Sequence, residues 1–338
     1  MDSFYVNPQT GHPLRREGEA LIDDDGNRFP ILAGIPRFCE AENYSSSFGQ
    51  QWNKFQATQI DREGVRGEPS RKRFFAETGW RPDELAGLDI LEAGSGAGRF
   101  SRVVLQTTDA NLFSVDYSTA VEANWRNNGD IEPEHFHLSQ ASIYELPFPD
   151  DRFDKVFCLG VLQHTPDFEA SVHALVRKTK SGGEIVVDFY PIRGFWTKLH
   201  AKYLLRPITR RMNQERLLSL IDRNADRLIG ISRFLERHGL GVLCRFLPVG
   251  DIYGTMPEEL SPAQLREWVV LDTFDMFSPA YDNPQSINAV KKMFERTGAE
   301  IAFAGFIDCG TGQAAVVRAI KRSPATSAQD IAQPQSPA

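Results

Sequence analysis

Between residues 88 and 190, short apolar runs alternate with stretches of helical periodicity: LDILEAG, GRFSRVVLQT, NLFSVDYS, TAVEANWRNN, FHLSQAS, FDKVFCLGV, DFEASVHALVRKT and GEIVVDFY. Strands separated in this way by helices run parallel and are joined by crossovers, so the expected core is α/β, a mostly parallel sheet with helices on both faces. Near-continuous apolar strands agree, because a strand covered on two sides has no wet face. The pattern resumes after residue 284 with the helical SINAVKKMFERTG and the strands EIAFAGFID and QAAVVRAIK, which bring the expected sheet to seven strands.

The flanks divide the 338 residues further. Residues 1–45 hold short apolar pieces between Gly, Asp and Pro and read as a small β-rich segment. The α/β core is expected over 46–190, and SSSFGQQWNKFQATQIDR at its start reads as a helix or ordered arm whose Phe48, Trp52 and Phe55 pack on the residues after it. Residues 191–284 break the regularity with helical periodicity interrupted by Pro207, Pro248, Pro257 and Pro262, as expected of a helical insert after the fifth strand. Residues 285–322 close the core, and 323–338, rich in Pro, Ser, Ala and Gln, read as a disordered tail.

A 41% hydrophobic content supplies a core, and a net charge of −7 argues against a surface given over to nucleic acid. Cys39, Cys158, Cys244 and Cys309 stand singly, without a C-x-x-C pair, so neither a zinc cage nor a disulfide framework is expected; reduced thiols suit a cytoplasmic protein. No apolar leader opens the chain and no run of 18 apolar residues occurs downstream, so neither secretion nor a membrane span is expected.

DILEAGSGAGRF places Gly94, Gly96 and Gly98 at alternate positions between a strand and a helix. Such a turn offers free N–H groups and a positive dipole end to an anion. A dinucleotide fingerprint requires G-x-G-x-x-G, and Arg99 falls where its last glycine belongs, which weakens a nicotinamide reading.

Three ordered motifs carry a resemblance: ILEAGSGAGRFS, LFSVDYS and SIYELPFPDDRFDKVFCLGVLQHTPD. Together they resemble the class I S-adenosylmethionine-dependent methyltransferases, over residues 88–190 and more loosely over 285–320. The resemblance implies a Rossmann-like sheet and S-adenosylmethionine as cofactor. It places Glu92, Gly94, Ser95, Gly96 and Gly98 around the methionine part and Asp116, with Tyr117 beside it, at the ribose hydroxyls. Ser142 stands where the family usually has the Asp that accepts from the adenine amino group; its hydroxyl is also an acceptor, and Ile143 adds a backbone N–H. Leu159 completes the implied set. LIDDDGNRFPILAGIPRF is similar to a small zinc-ribbon-like module found before some of these domains, but Asn7 and Thr10 stand where its cysteines belong, so no metal is expected and the segment reads as a structural cover.

For a sulfonium methyl donor, catalysis rests largely on positioning, and a hydroxyl acceptor gains from a general base. His164, after the fourth strand and so at the ligand-binding edge, is the candidate; the alternative is that it packs the turn before Pro166. Asp272, Asp275 and Tyr281 form a second polar cluster, read either as pocket lining or as ordinary loop formers, and Tyr190, Trp196 and His200 join them as candidate substrate contacts. Arg193, Lys198, Lys202, Arg206, Arg210 and Arg211 occur without an acidic residue among them, either a solvated face or a surface for phosphate, sugar nucleotide or an anionic membrane.

The leading expectation is methyl transfer to a small acceptor, phosphorylated or carboxylated, at an oxygen of a sugar, nucleotide-sugar or secondary metabolite. An RNA methyltransferase and a non-catalytic partner subunit are the alternatives. Charge and the lack of a recognised RNA-binding motif argue against nucleic acid.

Overall fold

The computed structural model describes residues 4–40, 43–61, 67–192, 194, 199–257, 260–310 and 312–323. Arg193, Trp196 and Lys198 of the sequence reading, and the tail from 324, lie outside the described residues.

Strands β1 (Arg15–Glu17), β2 (Ala20–Ile22), β3 (Arg28–Leu32) and β4 (Ile35–Pro36) form an antiparallel meander, followed by helices α1 (Ser46–Lys54) and α2 (Pro69–Thr78). The main unit then runs β5 (Asp89–Ala93), α3 (Arg99–Thr107), β6 (Asn111–Asp116), α4 (Val121–Asn128), β7 (Phe136–Gln140), β8 (Phe153–Cys158), α5 (Phe168–Lys178) and β9 (Thr179–Phe189). Four helices come next, α6 (Ala201–Thr209), α7 (Gln214–Arg237), α8 (Ile252–Thr255) and α9 (Pro262–Phe277), before α10 (Ile287–Arg296), β10 (Glu300–Asp308) and β11 (Gln313–Ile320).

The seven strands are ordered β10-β11-β9-β8-β5-β6-β7. β11 is antiparallel to both its neighbours, while β5 to β9 pair in parallel, as the alternating pattern requires. The chain moves outward from β5 to β7 and then returns to β8 on the other side of β5. This reversal opens a crevice at the carboxyl ends of β5 and β8.

Side-chain alternation divides the core between the two sheet faces. Leu91, Phe113, Val156 and Ile185 join Val172 of α5 and Phe294 of α10 in one cluster; Ile90, Leu112, Phe157 and Val186 join Phe74 of α2 and Val104 of α3 in the other. All of these side chains are essentially inaccessible, and each one of this size contributes roughly 1.5–3 kcal/mol.

The N-terminal meander lies beside β7: the Phe38 amide donates to the Gln140 carbonyl at 2.8 Å and Arg37 donates to the Gln140 side chain at 2.9 Å. That covers part of an otherwise open sheet edge. Asn7 donates to Asp23 at 2.6 Å, and Asp23 also accepts from Asn27. Among the described residues no cluster of His, Cys, Asp and Glu is placed to hold a metal, and no helix is long and apolar enough to cross a membrane.

In the insert, α7 buries Leu217, Ile221, Ala225 and Ile229 against α9 and its surroundings. α9 starts at a capping box, with the Ser261 hydroxyl accepting from the Gln264 amide and the Gln264 side chain accepting from the Ser261 amide. Asp272 and Asp275, weighed above as loop formers, belong to this helix. The basic stretch divides as well: Lys202 and Arg206 turn inward, Lys202 pairing with Asp282 at 2.8 Å and Arg206 donating to the Met276 and Pro279 carbonyls.

Candidate active site

The turn after β5 is held by the Val115 carbonyl of β6, which accepts from the amides of Gly94 at 2.7 Å and Ser95 at 3.1 Å. Gly98, at φ +84°, caps α3; a Cβ there would collide with the side chains of Asn124 and Asn128. Gly96, at φ +53°, faces Trp52 of α1, whose Nε1 would lie 3.0 Å from an added Cβ. Both positions therefore need a left-handed conformation and a bare backbone, for different neighbours.

Asp116 closes the turn from the end of β6. Its Oδ2 accepts from the Gly96 amide at 2.7 Å, and its Oδ1 accepts from the Ser118 amide at 2.8 Å and hydroxyl at 2.7 Å. Oδ2 keeps a further lone pair. Burial raises its pKa, offset in part by the Ser118 and Gly96 donors.

Glu92 sits behind this surface. It accepts from the hydroxyls of Ser101 at 2.5 Å and Ser114 at 2.8 Å, and burial pushes its pKa up to about 7 against those bonds. It is absent from the lining of the cleft, as are Ser142, whose hydroxyl accepts from the Tyr144 amide at 3.2 Å, and Tyr281, which packs edge-on against Tyr44.

The cleft itself has a volume of about 740 Å³. Gly94, Ser95, Gly96, Asp116, Tyr117, Ile143 and Leu159 line one part, and His164, Tyr190, His200, Asp272 and Asp275 another, with Phe48 and Trp52 of α1 and Trp268 of α9 as aromatic walls. Four buried polar atoms on lining residues, Ser95 Oγ, Gln51 Oε1 and both Oε1 and Nε2 of Gln163, have no hydrogen-bond partner among the described residues. Such orphans suit a polar ligand.

Away from the glycine turn, Tyr190 at the exit of β9 donates to Asp275 Oδ2 at 2.9 Å, and the same oxygen lies 3.9 Å from His164 Nε2. His164 Nδ1 lies 3.2 Å from the Tyr281 carbonyl. A carbonyl only accepts, so the neutral ring carries its proton on Nδ1 and presents a lone pair at Nε2. Burial lowers the His164 pKa, with Asp275 opposing and Lys202 reinforcing the shift. Asp272 lies on the same wall, its pKa pushed up to about 7 by burial and by Asp275.

Arg99 and Lys202 were missed as site residues. Arg99 is the residue that broke the dinucleotide fingerprint, and its guanidinium lines the cleft, donating to Ser70 Oγ at 2.9 Å and Gln59 Oε1 at 3.3 Å. No carboxylate among the described residues forms an ion pair with it, and burial, followed by the repulsion of Arg73, lowers its pKa to about 10. Lys202 lies 4.1 Å from the centre of the Tyr190 ring. Its place in the cleft depends on Asp282, eighty residues away, which no local pattern discloses.

Residues 91–187 match the sequence model of a family described as a methyltransferase domain. Residues 91–187 are a methyltransferase domain. This methyltransferase domain is 25% identical over 131 residues to a tRNA U34 carboxymethyltransferase of Nautilia profundicola, covering 36% of this chain and 44% of that protein. A ubiquinone biosynthesis O-methyltransferase of Alkalilimnicola ehrlichii is 32% identical over 126 residues, 36% of this chain and 51% of its own length. A ubiquinone/menaquinone biosynthesis C-methyltransferase of Vibrio parahaemolyticus is 32% identical over 123 residues, 34% and 45% respectively. The chain thus spans about half the length of these relatives, and the helical insert lies outside the matched family region.

Proposed function

We propose that the whole protein transfers a methyl group from S-adenosylmethionine to an oxygen of a small-molecule acceptor, with residues 191–284 acting as the lid of the acceptor site. One observation carries the reading: a single cleft joins the glycine turn and Asp116 to a buried, neutral His164 whose Nε2 is available as a base. The residues present fit the cofactor. Asp116 Oδ2 retains a lone pair for a ribose hydroxyl, the unpartnered Ser95 hydroxyl offers a polar contact, and Arg99, which forms no ion pair among the described residues, keeps a positive charge for the methionine end. Trp52 and Ile143 supply apolar surface beside them.

When bound, S-adenosylmethionine supplies a methyl group already activated by its sulfonium centre. His164 Nε2 takes the acceptor's hydroxyl proton, and Asp275, itself hydrogen-bonded to Tyr190, steadies the charge that forms on the ring. The aromatic walls exclude water from that end. Two of the relatives are named for ubiquinone biosynthesis, which supports a small acceptor here. The relative named for tRNA supports RNA as the second reading.

Calorimetric titration with S-adenosylmethionine and S-adenosylhomocysteine is the first test. Micromolar binding by the wild type, lost in Asp116→Ala, is expected. Radiolabelled methyl transfer to small hydroxyl compounds then supports the reading, whereas transfer to RNA overturns the acceptor class. No cofactor binding would overturn the enzyme reading in favour of a partner subunit.

A further inference from the structure

The surface of the insert is unlike the rest of the molecule. Among the described residues sixteen large apolar side chains are exposed, and eleven of them lie between residues 204 and 253. Leu204 and Ile208 of α6, Val242 and Phe246 of the turn after α7, and Leu220 and Phe234 of α7 are each about half exposed or more. The same region is basic. Residues 199–257 hold ten Lys or Arg against five Asp or Glu, in a chain whose net charge is −7.

Helix α7 orders both properties on one face. At 3.6 residues per turn, Arg216, Leu220, Arg223, Arg227, Ile231 and Phe234 fall in one stripe, away from the buried Ile221, Ala225 and Ile229. All six are exposed. Asp222 and Asp226 stay outside the stripe, where both bond Arg266 of α9. No carboxylate among the described residues pairs with Arg216, Arg223 or Arg227. A helix that faces only water carries charges of both signs outward; this face carries one sign interleaved with large apolar side chains.

We propose that this face docks the protein on an anionic lipid bilayer, with the α7 apolar side chains entering the interface and its arginines meeting lipid phosphates. Charge selects the occupant. A second copy would bring the same three arginines against each other, whereas anionic headgroups neutralise them while the acyl boundary takes Leu220, Ile231 and Phe234. The proposal stands apart from the reading of the transfer reaction, since none of these side chains lines the cleft.

The test is sedimentation of the full chain with vesicles of phosphatidylcholine, alone or mixed with phosphatidylglycerol. Binding to the mixed vesicles only, weakened by salt, is expected. Arg223→Glu combined with Arg227→Glu is expected to lower the partition coefficient by about 25-fold or more, and Phe234→Glu to abolish binding. Both variants keep the wild-type melting temperature and cofactor affinity, so that loss of vesicle binding is separate from misfolding and from failure of the enzyme reading. Absence of binding to mixed vesicles, equal binding by the variants, or a dimer in sedimentation velocity that Phe234→Glu dissociates would each overturn the proposal.

Discussion

The Tyr190 hydroxyl donates to Asp275 Oδ2 at 2.9 Å and so ties the end of β9 to helix α9 of the insert. Because the same carboxylate oxygen lies 3.9 Å from His164 Nε2, three side chains from three parts of the chain share one charge.

Asp275→Asn removes the carboxylate that opposes the burial-driven fall in the His164 pKa. The wild-type imidazole titrates below its ordinary 6.5, so the acid limb of oxygen methylation lies below that pH, and the variant moves the limb lower still. A pH titration of the His164 ring by NMR checks the direction. His164→Ala is expected to lower kcat by roughly 10²-fold or more with unchanged cofactor affinity; a fall in melting temperature with kcat intact would assign His164 to packing alone.

Arg99→Gln tests the methionine end of the cleft. Loss of a charged hydrogen-bonding group costs about 1.5–3 kcal/mol, or roughly 10- to 150-fold in S-adenosylmethionine affinity. Methylthioadenosine, which lacks the carboxylate, is expected to bind the variant and the wild type alike. Equal losses for both ligands would move Arg99 away from the carboxylate.

Glu92 gives stability a pH dependence. Burial raises its carboxyl from an ordinary 4.5 to about 7 in the folded chain, so its contribution is fully present below about pH 4.5 and is lost as pH rises through about 7. The associated swing is about 3 kcal/mol. Glu92→Gln is expected to flatten the decline in urea stability between about pH 5 and pH 8, leaving the part due to Asp272, which is also raised to about 7. An unchanged slope in the variant would show that Glu92 stays ionised across this range.

Gly98→Ala forces a side chain into a left-handed backbone and against Asn124 and Asn128. Strain and overpacking together are expected to cost about 3 kcal/mol, read by chemical denaturation. Cofactor binding is expected to weaken as well, because Asn128 donates to the Gly98 carbonyl at 2.9 Å and supports the turn.

Strand periodicity made the sheet legible from the chain alone: each of the seven apolar runs forms one of β5 to β11, because burial of the central strands on two faces leaves a local imprint, and the half-exposed edge strand β10 keeps an apolar run of its own. Helix α9 left a weaker one. It buries Trp268, Val269, Val270, Leu271 and Phe274 around much of its circumference, so Asp272 and Asp275 looked like loop residues beside Pro279. The basic stretch misled for a related reason, since composition cannot show that Lys202 turns inward to Asp282.

By itself, the sequence determined what depends on neighbours in the chain: strand and helix periods, the glycine turn between β5 and α3, and the carboxylate at the end of β6. Tertiary structure alone decided that Glu92 lies behind the cleft on Ser101 and Ser114, that Arg99 enters it without an ion pair among the described residues, and that His164, Tyr190 and Asp275 meet. The physical reason is range. Backbone conformation and amphipathic period are set within a few residues, whereas the meeting of His164, Tyr190 and Asp275 joins residues up to 111 positions apart and exists only because the insert packs over the open end of the sheet.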